Sequence, residues 1–120
     1  MTERPSEDIE RHISTLQMLL ESTEGHIKSA RALLEVATVG HGDIRGDEWQ
    51  DLGPEGRRLI LLHAAQSASL EYARAVNELK RAASGMSSDA QAEMEVRLAG
   101  YQAEINVLAE RLFAESEKYQ

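Results

Sequence analysis

From residue 9 to residue 37 the apolar positions keep an unbroken four–three rhythm: Ile9, Ile13, Leu16, Leu20, Thr23, Ile27, Ala30, Leu34 and Ala37. That spacing draws a narrow seam down one side of a long helix, suited to packing lengthwise against another helix. Thr23 is its only polar member. The pattern predicts helix one over 6–38. Ser6 is a good N-cap, and Glu7 and Asp8 suit the positively polarised first turn. Gly25 lies inside this span, yet the rhythm passes through it undisturbed. One continuous helix is expected, with Gly25 costing ~1 kcal/mol relative to Ala.

Residues 39–53 lose the periodicity, and their glycines and acids predict a long loop. Pro54 then opens helix two, expected over 54–83. Its seam reads Leu62, Ala65, Ser69, Tyr72, Val76, Leu79 and Ala83. A flanking row, Leu61, Ala68, Ala75 and Ala82, is small after its first member and would let a neighbouring helix come close. The run Leu59-Ile60-Leu61-Leu62 is apolar on every side of the helix, so the loop around Trp49 is expected to cover its outer face. Gly85 is placed to end helix two as a C-terminal glycine. Ser88 and Gln91 have capping-box spacing and predict helix three over 88–118. Met94, Leu98, Tyr101, Ile105, Leu108 and Leu112 form its seam.

These elements describe an all-α chain: a single helical domain over 1–120, folded as an antiparallel up-down-up three-helix bundle with coiled-coil-like seams. The chain has one Phe, one Trp and three Tyr, so aliphatic residues and Ala must build the core. Three narrow seams bury limited apolar surface, and a second copy would bury more, so a homodimer is expected. Charge is distributed by helix. Residues 6–38 hold six acids and three bases, residues 57–82 two acids and five bases, and residues 88–118 seven acids and three bases. A net positive middle helix between two negative ones favours one bundle.

A formal charge of −8 argues against nucleic acid and against an anionic membrane as partner. No cysteine is present, which removes thiolate chemistry and Cys-ligated metals. The N-terminal segment is polar, with no apolar signal core, and no apolar run approaches the ~20 residues that span a bilayer. A cytoplasmic location is expected.

Candidate chemistry is sparse. His12 and His26 flank the first seam but stand roughly 21 Å apart along the helix. The acids Glu10 and Glu24 lie two residues before these His and point to other faces, so no Glu-x-x-His pair of a di-iron bundle exists. The order His26-Ile27-Lys28-Ser29-Ala30 does not reproduce the Lys and Gly positions that follow a phosphotransfer histidine. Asp43, Asp47, Glu48 and Asp51 do not follow the EF-hand order. No catalytic residue, cofactor or metal is assigned.

The function expected is non-enzymatic protein–protein interaction, as a small adaptor, assembly factor or regulatory subunit. It would act through the helical seams and the Trp49 loop. Trp49 is either a plug over the bundle end or a partner-binding anchor, with Arg45, Asp47 and Asp51 as its polar rim. The alternative is a bundle that binds a small ligand or metal through His12, His26 and His63.

Overall fold

The computed structural model describes residues 5–39, 49 and 51–119. Three helices follow in order: α1 (Pro5–Val39), α2 (Pro54–Ala82) and α3 (Ser88–Glu117), with a 3-10 turn (Ala83–Gly85) between the last two. Each helix packs on both others, and no strand occurs among the described residues, so the fold is all-α. Ile9 meets Gly85 and His12 meets Glu78, while Ile27 and Leu34 share a core cluster with Leu61 and Ala68. These pairings make α1 and α2 antiparallel. Glu24 meets Arg97 and Arg31 meets Glu104, so α1 and α3 run parallel and the order is up-down-up.

The seam of α1 is the spine of the core. Leu16, Leu20, Thr23, Ile27, Ala30 and Leu34 are all buried. Thr23 fits because its hydroxyl donates to the Leu19 carbonyl at 2.7 Å, so no polar group is left unpaired. The core has two parts. One gathers Leu16, Leu20, Ala75, Leu79 and Leu98, and the other runs from Ile27 past Leu61 to Leu112 and includes Trp49. Tyr72 and Tyr101 pack against both and join them.

The buried face of α2 differs from the expected seam. Its centre is the flanking row, with Leu61, Ala68, Ala75 and Ala82 at 3% exposure or less. Ser69 is exposed, and Leu62 and Val76 are only half-buried. The reason is position. α2 packs on two helices, and the small side chains of this row are the ones they cover. The larger residues form the shoulder of the groove toward α3.

Local signals shift by a residue in three places. α1 begins at Pro5, whose fixed φ suits a first helical residue. The N-cap of α3 is Ser87, not Ser88: Ser87 is extended (φ −65°, ψ 158°) and its Oγ accepts from the Ala90 amide at 3.1 Å. The Gln91 side chain turns instead to Glu95. Gly85 is not a left-handed cap, since α2 ends at Ala82 and tightens into the 3-10 turn. Its role is close approach, because a Cβ at Gly85 would overlap Ile9 of α1.

Arg58, Arg74 and Arg81 of α2 each bond the Glu three residues earlier on their own helix. The pairs Arg31–Glu104 and Arg97–Glu24 instead link the two negative helices.

The two glycines give opposite mutational signs. Gly25 is helical and exposed, and a Cβ there meets nothing within 4 Å. Gly25→Ala should stabilise the chain by about 0.5–1 kcal/mol. Gly85→Ala should destabilise it by about 1–3 kcal/mol, because Ile9 must be displaced. Urea denaturation followed by circular dichroism measures both.

Candidate interaction site

Trp49 is 5% exposed and belongs to the larger core cluster with Leu61 and Leu112. Arg57 holds it. Its Nε donates to the Trp49 carbonyl at 3.1 Å, and its guanidinium stands 5.6 Å from the Trp49 ring and 5.7 Å from the Tyr119 ring. Tyr119 meets Trp49 edge-on, with centroids 6.0 Å apart at 80°. A cation against both aromatic rings joins the chain entering α2 to the end of α3. The ring thus plugs the bundle end from inside. It does not cover the outer face of α2 as expected: Leu59 is 52% and Ile60 39% exposed. Of the expected rim, Asp51 is exposed, whereas Arg45 and Asp47 lie outside the described residues.

The three candidate histidines do not converge. His12 Nδ1 faces Glu78 Oε1 across the α1–α2 interface near the Gly85 turn. His26 sits half-buried in mid-α1. His63 is exposed near the start of α2, with its Nε2 3.3 Å from Ser67 Oγ. Among the described residues no group of three or more His, Asp or Glu side chains could hold a metal ion.

Glu78 was not legible as a site residue. Its side chain is 7% exposed, and its second carboxylate oxygen accepts from Arg81 at 3.0 Å. Burial pushes its pKa up, but the bonds from His12 and Arg81 outweigh burial and hold it below the usual value. The available signal was position, since Glu78 falls between Ala75 and Ala82 of the buried row. A second cross-link joins α1 and α3 at mid-height. Tyr101 donates to Glu24 at 3.0 Å, and Arg97 donates to the Tyr101 hydroxyl at 2.8 Å. The Tyr101 bond and the nearby Lys28 charge lower the Glu24 pKa.

Exposed apolar side chains line the outer side of α2 and α3. One depression is lined by Leu59, Ile60, Leu62, His63 and Gln66. The next is lined by Ala65, Gln66, Ser69, Leu70, Ala109 and Phe113, so Gln66 borders both. Leu70 is 53% and Phe113 45% exposed. No Asp, Glu, Lys or Arg occurs from Leu59 to Leu70. Farther along α2 the exposed charges are basic: Arg74, Lys80 and Arg81. The acids Glu71 and Glu78 keep only 13% and 7% of their side chains exposed. The outer face of α2 is therefore apolar and then basic, in a chain of net charge −8.

No helix among the described residues is long and apolar enough to cross a membrane. The chain matches no family model, no curated protein and no solved structure.

Two measurements check these contacts. Trp49 should emit at short wavelength and resist acrylamide quenching, and Arg57→Ala should shift its emission to the red. Glu78→Gln should cost about 1–3 kcal/mol at neutral pH, as loss of charged hydrogen bonds does. The folded pKa of Glu78 lies below the unfolded one. Its contribution is therefore complete above the ordinary value of 4.5 and is lost as pH falls through the folded value. Melting curves of the wild type and the variant should converge only as the pH falls through the folded value, which lies below 4.5.

Proposed function

We propose that this chain is a non-enzymatic protein-interaction module, an adaptor, assembly factor or regulatory subunit. Its docking face is the outer α2–α3 groove. One observation carries this reading: Leu59, Ile60 and Leu70 stand exposed along a charge-free stretch of α2, with Phe113 of α3 exposed beside it, while the helical seams are spent on the core. Contiguous exposed apolar surface of this kind marks association sites. The partner that fits is an amphipathic helix. Its apolar face lies over Leu59, Gln66, Leu70 and Phe113, and its acidic residues point toward Arg74, Lys80 and Arg81. Trp49 serves from beneath by fixing the start of α2, and Asp51 supplies a polar edge. Self-association as a dimer is a second property of the module. The ligand-binding alternative has less support, because His12, His26 and His63 occupy separate places.

Selection of helical peptides on the folded chain tests the groove. Enriched sequences should carry apolar residues at i, i+3/i+4 and i+7 together with Asp and Glu. Leu70→Asp/Phe113→Asp should weaken their binding at least about tenfold, a change of about 1.4 kcal/mol. Failure to enrich such peptides, or equal binding by the variant, would sink the proposal.

A further inference from the structure

The outer side of α3, opposite its seam, carries a second stripe. Val96, Gly100, Ala103 and Val107 follow four–three–four steps, so they share one face of the helix. The core does not use this face. Val96 is 73% and Val107 57% exposed, Ala103 is exposed, and a Cβ on Gly100 would meet nothing within 4 Å.

The stripe reads the same in both directions, large–small–small–large. Laid antiparallel on a second copy about a two-fold axis between Tyr101 and Gln102, each Val96 meets a Val107. Each Gly100 likewise meets an Ala103. The small central pair lets the helices come close while the valines pack on either side. The flank supplies charge complementarity within one residue of that register. Glu93 and Arg111 are both exposed and stand eighteen residues, about five turns, apart on one edge of the stripe. A two-fold antiparallel pair sets like edges together, so Glu93 faces Arg111 of the partner subunit, twice. Neither residue has an ion-pair partner among the described residues.

We infer that two copies of this chain associate through the outer face of α3, antiparallel, with Val96 against the partner's Val107 and Glu93 against the partner's Arg111. This rests on the reading of the chain as a self-associating module and names the surface it uses. The stripe is offset from the α2–α3 groove around the helix, so both grooves stay open and the dimer presents two docking faces. A helix pair with two valines per chain is a small interface, at the low end for specific association. Dissociation is therefore expected on the order of 10 μM.

Sedimentation velocity of the full chain from 1 to 200 μM tests it, taking those limits as roughly a decade either side of the expected constant. The wild type should shift from monomer to dimer. Val107→Glu should stay monomeric while keeping its helical circular dichroism. Glu93→Arg should weaken the dimer about tenfold and Glu93→Arg/Arg111→Glu should restore it. The register has its own readout, since the chain has no cysteine. In the antiparallel pair, identical positions 96 lie roughly 16 Å apart along the helix, too far for a disulfide, whereas 96 and 107 face each other. Oxidising a mixture of Val96→Cys and Val107→Cys chains should give covalent heterodimers, and neither variant alone should link. A wild type that stays monomeric throughout overturns both self-association and this interface. A dimer that survives Val107→Glu but is lost in Leu70→Asp/Phe113→Asp keeps self-association and overturns the α3 interface. Linking of either cysteine variant alone, or none in the mixture, overturns the antiparallel register.

Discussion

The architecture depends on how closely α2 can lie against its neighbours. Past Leu61, the central row of its buried face is alanine at positions 68, 75 and 82, each nearly inaccessible to solvent. Alanine adds almost no width and keeps full helix propensity. α1 and α3 can therefore bring their own larger residues in from either side: Leu16, Leu20 and Leu34 from one, Leu98, Ile105 and Leu112 from the other. A chain with five aromatic residues obtains a packed interior this way. A side chain of leucine size at Ala68 or Ala75 would overpack this interior.

Close packing of long helices leaves the ends as the weak points, and each end is held by a different kind of contact. Near the 3-10 turn, Gly85 admits Ile9, and Glu78 ties His12 to Arg81 across the α1–α2 boundary. At the far end, Arg57 stands against the rings of Trp49 and Tyr119 and bonds the Trp49 carbonyl. These contacts set the direction in which α2 enters and leaves the bundle. They place Leu59 and Ile60 outward and Leu61 inward. The proposed docking groove is thus a consequence of how the ends are fastened.

The same economy explains what is left on the surface. The seams are occupied by the bundle itself, so binding through them would require the chain to open. The apolar residues off the seams are another matter: Leu59, Leu70 and Phe113 on one side, Val96 and Val107 on another. They stay exposed among the described residues and gather on two separate faces. Charge marks the first of these faces, which ends in Arg74, Lys80 and Arg81. A foreign acidic helix is the partner proposed for that face, and a second copy the one proposed for the α3 stripe.

Periodicity alone determined that the chain is helical and which faces of α1 and α3 are buried, because a four–three rhythm over many turns has one geometric solution. Gly25 left that rhythm undisturbed, and α1 is continuous through it. Local chemistry located the start of α2 at Pro54 and came within one residue of the cap on α3. Tertiary structure decided the rest. Two rows of α2 were both regular in sequence, and only packing between two neighbours selected the alanine row over Leu62–Ser69–Val76. Trp49 could lie over Leu59 and Ile60 or inside beside Leu61; it lies inside, between Arg57 eight residues on and the ring of Tyr119 from the far end of the chain. Glu78 reads as one more surface acid until His12, 66 residues away, is brought against it. A residue's own helix tells which side it is on. What stands opposite depends on contacts between segments far apart in the chain, and no local pattern encodes those.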